Sequence, residues 1–241
     1  MKYAIVIPAR YNSTRFPGKP LIDIKGKTMI QRVYEKCLLS VNSELIYVAT
    51  DDKRIELHCK ENDIKCIITS ESCLTGTDRI GEVAQKIDAD YFINVQGDEP
   101  VFNPKDIDLL IDELIKTKNL YDVYCGYCPI YTSEMFFSSD VPKAVLNSKS
   151  ELIYMSRSPI PGNKKGEFKF GYRQVCAYAF SRESLKSFCL QKRKTPLEEQ
   201  EDIELLRFLE LGVKIKMLEM SDESIPIDRE EDLKKVLEYL K

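Results

Sequence analysis

Several motifs that would settle a function outright are missing from this chain. It has no G-x-x-x-x-G-K-S/T run and no G-x-G-x-x-G, which weighs against a Walker-type ATPase and a Rossmann dinucleotide site. His58 is the sole histidine, far in sequence from the one C-x-x-C pair, Cys125 and Cys128, and no second cysteine pair has zinc-site spacing. Neither sign of charge dominates: 36 Lys and Arg against 39 Asp and Glu leave a formal charge of −3, which argues against a nucleic-acid binder working through bulk electrostatics. There is no transmembrane run, internal repeat or low-complexity tract, so neither a membrane nor a nucleic acid is an expected partner.

Eight cysteines remain to be explained. They lie mostly inside apolar segments, and the first residues show no secretory signal pattern, so reduced thiols and a cytoplasmic location are expected. In the alternating run Val123-Tyr124-Cys125-Gly126-Tyr127-Cys128 the two thiols should face opposite ways, which disfavours a redox pair. At 43% hydrophobic and 31% charged residues, the 241-residue chain reads as one soluble globular domain, 1–241.

The first half alternates strand and helix. Strands are predicted at 3–7, 44–49, 64–68 and 91–95, and helices at 28–39, 52–61, 77–87 and 104–116. Repeated βα units imply an α/β fold with a mostly parallel central sheet flanked by helices. From 121 to 180 the pattern turns β-rich, with strands at 123–130, 143–147 and 172–180, and reads as a lobe inserted in the domain. Helices at 181–190 and 198–211, a strand at 213–218 and a helix at 229–240 opened by Asp228 as N-cap complete the prediction.

Three loops carry chemistry. After the first strand, Pro8-Ala9-Arg10-Tyr11-Asn12-Ser13-Thr14-Arg15-Phe16-Pro17-Gly18-Lys19 combines three cations with Gly and Pro at a sheet edge, which suits a nucleoside triphosphate. After the strand at 91–95, Gln96-Gly97-Asp98-Glu99 offers two carboxylates; Asp98 is suited to a Mg²⁺ ion that also takes substrate phosphates, and Gly97 to close backbone approach. Between them, Thr75-Gly76-Thr77-Asp78-Arg79 opens a helix whose N–H groups could meet a ligand. Taken singly, a basic surface loop, a strand-ending turn and an ordinary N-cap explain the same residues.

Together these segments resemble a known family. I-P-A-R-Y-x-S-T-R-x-P-G-K-P-L at 7–21, V-A-T-D at 48–51, T-G-T-D-R at 75–79 and N-V-Q-G-D-E-P at 94–100 are similar to those of 3-deoxy-manno-octulosonate (Kdo) cytidylyltransferases. The likeness continues through 143–146, 154–161, 196–198, 204–207 and 227–233, nearly the whole chain. The resemblance implies a glycosyltransferase-A-like nucleotidyltransferase that transfers CMP from CTP to the anomeric hydroxyl of an acidic sugar and releases pyrophosphate. It also implies Mg²⁺ and a homodimer with the β-rich lobe as dimerisation element. By the same analogy Arg10, Arg15 and Lys19 hold the triphosphate and, with Asp98, carry catalysis. Pro8, Ala9, Gly76, Thr77 and Gln96 belong to the nucleotide site, and Asp98 and Asp228 bind the metal.

On the acceptor side the chain departs from the family. Gln174 and Cys73 stand where the family pattern has histidines, and the loop at 162–169 is shorter. Glutamine cannot become cationic, so it holds a carboxylate less well than a protonated imidazole. Gln96, Arg157, Gln174, Glu201 and Glu204 are the acceptor-site candidates, although Glu201 and Glu204 equally fit a solvated helix face. These departures leave room for another acceptor: an amino-substituted Kdo, a different sugar acid or a small phosphorylated compound. A nucleotide-binding subunit without turnover is a further alternative, opposed by the presence of Lys19, Asp98 and Asp228.

Overall fold

The computed structural model describes residues 1–12, 16–118 and 120–240. Its elements run β1 (Tyr3–Ala9), β2 (Asp23–Ile24), β3 (Lys27–Thr28), α1 (Met29–Cys37), β4 (Ile46–Thr50), α2 (Lys53–Glu61), β5 (Cys66–Ile68), α3 (Gly76–Ala84), β6 (Tyr91–Val95) and α4 (Lys105–Thr117). Then follow β7 (Val123–Pro129), α5 (Ser133–Phe137), β8 (Lys143–Leu146), β9 (Leu152–Ser156), β10 (Tyr172–Ser181), α6 (Arg182–Cys189), α7 (Pro196–Glu201), α8 (Leu205–Glu210), β11 (Ile215–Glu219) and α9 (Glu230–Tyr239).

The central sheet has the order β11-β7-β10-β6-β1-β4-β5. It is parallel except at β10, which runs antiparallel to both β6 and β7. The reason lies in the burial of β1: Ala4, Ile5, Val6 and Ile7 are all inaccessible, as only a strand covered on both faces requires. Period two then divides the core. Ile5 and Ile7 pack with Ile30, Val33, Ile55 and Leu110 on one face, while Ala4 and Val6 pack with Ile80, Val83, Leu185 and Phe208 on the other. Cys125 and Cys128 fall in these two opposite clusters, and all eight cysteines are free.

Three expectations change. The segment 121–180 does not stand apart: β7 and β10 enter the middle of the sheet, and the β8–β9 pair extends from the first residues of β10, where Tyr172 and Arg173 face Ala144 and Lys143. The expected helix 198–211 is two helices, broken at Asp202, which takes a left-handed φ of 51°. Asp228 does not cap the last helix from outside; Asp232, inside its first turn, accepts the N–H groups of Asp228 and Arg229 at 3.2 and 3.1 Å.

Candidate active site

A cleft of about 330 Å³ opens where the loops after β1 and β6 meet the N-terminus of α3. Parallel strands deliver their carboxyl ends here, the usual ligand edge of such a sheet. Pro8, Ala9, Arg10, Lys19, Gly76, Gln96, Asp98, Glu204 and Asp228 line it, so the three loops singled out in the sequence converge. Arg15 lies outside the described residues.

Lys19 is the centre of charge. Gly18, at a left-handed φ of 73°, returns the chain so that its N–H donates to the Tyr11 carbonyl at 2.8 Å, and Lys19 follows at the cleft. The ammonium lies 2.5 Å from Asp98 Oδ2, 3.5 Å from Asp228 Oδ1 and 3.1 Å from the carbonyl of Ile227. The Lys19 and Asp98 side chains are only 14% and 27% exposed, so solvent screens this pair weakly. No cluster of three or more His, Cys, Asp or Glu suited to a metal occurs among the described residues. Asp98 and Asp228 together nevertheless give two hard oxygen donors around one point, a set that fits Mg²⁺ when phosphates and water complete its shell.

Gly97 lets the two loops touch. A Cβ there would stand 2.6 Å from the carbonyl oxygen of Pro8, so no other residue fits without moving backbone. Gly76 is different: its Cβ would meet Pro8 Cγ at 3.6 Å, ordinary contact.

The N–H groups that open α3 are already satisfied. Asp78 N–H donates to Thr75 Oγ1 at 3.1 Å in a capping box, while Gly76 and Thr77 N–H donate to the Glu204 carboxylate at 3.2 and 3.0 Å, joined by the Thr77 hydroxyl. Glu204 is therefore no solvated helix-face residue but a carboxyl seated on a helix N-terminus. Burial pushes its pKa up, and these donors oppose that rise.

Gln96 and Glu204 are the acceptor-site candidates that reach the cleft. Arg157 is spent on backbone carbonyls, Nε on Glu201 at 2.6 Å and the two terminal nitrogens on Ser139 and Asp202 at 3.0 and 3.2 Å. Glu201 accepts from Ser156 Oγ and the Arg157 N–H at 2.7 and 2.8 Å, tying α7 to β9. Gln174 is buried and donates to the Tyr178 hydroxyl at 2.8 Å. None of these three lines the cleft.

Arg79 also lines the cleft, a residue to which the sequence reading gave no task. It is wholly buried, donates to Thr69 Oγ1 and to Asp51 Oδ2 at 2.7 Å, and leaves its Nε without a partner. The signal was available: a charged side chain among the apolar positions Ile80, Val83 and Ala84 of a buried helix, with Asp51 ending V-A-T-D as counter-ion. Glu99, the second carboxylate after β6, turns away from Lys19 and accepts from Ser224 Oγ at 2.6 Å; burial pushes it up to about 8.

Comparison with known proteins gives this geometry a context. The cytidylyltransferase family model matches residues 4–215. A 3-deoxy-manno-octulosonate cytidylyltransferase of Protochlamydia amoebophila is 41% identical, covering 98% of this chain and 93% of its own. The chain belongs to the 3-deoxy-manno-octulosonate cytidylyltransferase family. A member from Escherichia coli is 37% identical over 98% of this chain and 94% of its own. Among solved structures, CMP:2-keto-3-deoxy-manno-octonic acid synthetase complexed with CTP is 36% identical and superposes with a TM-score of 0.92, covering 100% of this chain and 98% of that one. The family relationship therefore spans β1 through α9, including every loop of the cleft.

Proposed function

We propose that this protein transfers CMP from CTP to the anomeric hydroxyl of Kdo and releases pyrophosphate. The observation that carries the reading is the full-length match to a synthetase complexed with CTP, in a chain whose Lys19 ammonium stands between Asp98 and Asp228 at the cleft.

The acceptor oxygen attacks the α-phosphorus in line, and charge builds on the phosphoryl oxygens and the departing pyrophosphate. Lys19 and Arg10 place fixed positive charge at the cleft wall where that charge develops. Pro8, Ala9 and Gly76 supply a narrow wall of backbone and small side chains for base and ribose. When bound, Mg²⁺ would be held by Asp98 and Asp228 and would neutralise triphosphate charge. Gln96 and Glu204, which line the cleft, are the residues we assign to the sugar.

A second reading keeps the cytidylyl transfer and changes the acceptor. Gln174 stands on β10 where a cationic imidazole is expected, with its amide committed to Tyr178. We further propose a homodimer formed through the 121–180 region, where Tyr131, Phe137 and Phe170 are 68%, 49% and 60% exposed. A cytoplasmic location accords with eight free thiols.

The deciding experiment measures pyrophosphate release from CTP and Mg²⁺ with Kdo, beside UTP, ATP and GTP, with Asp98→Asn as control. CTP-specific release with Kdo is expected. Silence with Kdo alongside turnover of another sugar acid would replace the first reading by the second.

A further inference from the structure

Between the end of β11 at Glu219 and the start of α9 at Glu230 the chain forms neither helix nor strand, and this segment carries Asp228. Its course is fastened at intervals to the loop after β6 and to the first turn of α4. Ser221 gives both its N–H and its hydroxyl to the Asp106 carboxylate, at 3.1 and 2.7 Å. Three residues on, the Ser224 hydroxyl donates to Glu99 Oε2 at 2.6 Å. Ile227 N–H then donates to the carbonyl of Asp98 itself at 2.9 Å, with its side chain fully buried beside Ile24, Met29 and Val101.

The acceptors are not surface groups. Glu99 and Asp106 are each 8% exposed, and a buried carboxyl is retained only where it meets a donor. Both serines supply that donor from the same segment. The geometry ties Asp98 to Asp228: Asp98 and Glu99 are adjacent in sequence, one facing Lys19 and the other holding the segment that brings Asp228 to the same ammonium.

We propose that Glu99 and Asp106 are positioning residues, which through Ser224 and Ser221 clasp the 220–228 segment and so hold the Asp228 carboxylate opposite Asp98. The inference rests on the reading of Asp98 and Asp228 as the divalent-cation pair. Groups that orient such carboxylates are commonly worth about ten- to a hundredfold in metal affinity or activity.

The test removes the hydroxyls without cutting a cavity: Ser221→Ala, Ser224→Ala and the double variant, with Ser224→Thr as the conservative control. Two readouts are taken on the full-length protein. Amide hydrogen exchange of residues 222–229 in the ligand-free state needs no turnover, and it should quicken about tenfold in the double variant while β1 and β6 are unchanged. Mn²⁺ titration in the presence of CTP should show affinity weakened about tenfold, with Ser224→Thr close to wild type. Unchanged exchange across 222–229, or quickened exchange with unaltered Mn²⁺ affinity, overturns the clasp. A wild type that binds Mn²⁺ and CTP but turns over no acceptor would refute the functional reading and leave both readouts interpretable.

Discussion

Arg207 and Asp78 stand 3.1 Å apart, guanidinium to carboxylate, and the same guanidinium closes a fork on Glu198 at 2.5 and 2.6 Å. Arg207 and Glu198 are completely buried. Because Asp78 also completes the capping box of α3, this network sets the spacing of α3 and α8, and thereby brings Glu204 onto Gly76 and Thr77. Arg207→Met should leave two carboxylates without their cation and lower stability by about 3–5 kcal/mol, read by urea unfolding. A loss under about 1 kcal/mol would mean the carboxyls find other partners or protonate cheaply.

Charge at the cleft should dominate turnover. Lys19→Ala and Asp98→Asn are each expected to lower kcat at least about a hundredfold in pyrophosphate release. Near-full turnover in either variant would remove the triphosphate site from this cleft.

Two glycines should behave differently. Gly97→Ala drives a methyl into the Pro8 carbonyl at 2.6 Å, so both stability and activity should fall, the former by about 1–3 kcal/mol. Gly76→Ala meets only ordinary protein contacts and sits at the first turn of a helix, so the protein should melt as before. Its CTP affinity should fall about tenfold, read by calorimetry, because the added methyl stands in the space assigned to the nucleotide.

His58 provides a pH test that no other imidazole obscures. Its ring nitrogen contacts Thr28 Oγ1 at 2.8 Å, and burial lowers its pKa from 6.5, with Glu61 opposing. As pH drops below 6.5 the unfolded chain takes up a proton that the folded ring resists, so this residue's contribution to stability is lost through the window beneath 6.5. The melting temperature of wild type should fall relative to His58→Gln between pH 7.5 and 5.5. NMR titration of the single ring should give a midpoint under 6.5, and a midpoint above it would reverse the sign.

The strands and helices of the first half were legible because the signals were local. Thr28, Asp52 and Thr75 each accept the hydrogen bond that opens a helix, and the apolar β1 and β6 runs can only be doubly covered strands. Lys19, Asp98 and Asp228 were legible as a group through family likeness, and the structure brings the three side chains together at the cleft. The break at Asp202 was not, since a left-handed aspartate leaves no periodic trace; the pull of Glu201 toward Ser156 and of Glu204 toward Thr77 decides it. Strand β9 escaped notice for a similar reason: Leu152–Ser156 takes its conformation from pairing with β8. Arg157 and Glu201 are acceptor-site candidates in sequence, yet Arg157 is consumed by backbone carbonyls and Glu201 by the Ser156 hydroxyl and the Arg157 N–H.

The placement of β10 between β6 and β7 also governs how the protein is made. As the chain leaves the ribosome, β5, β4, β1 and β6 can pair from the first 95 residues, but the outer edge of β6 has no neighbour until Tyr172–Ser181 has been synthesised. Every residue of Tyr91–Val95 is buried in the finished protein, so the nascent sheet passes through a stage with an open, apolar edge that a chaperone must shield or a second nascent chain could capture. The bond from Lys19 to Asp228 spans 209 positions, so the cleft gains its second acid only after every strand of the sheet has been made.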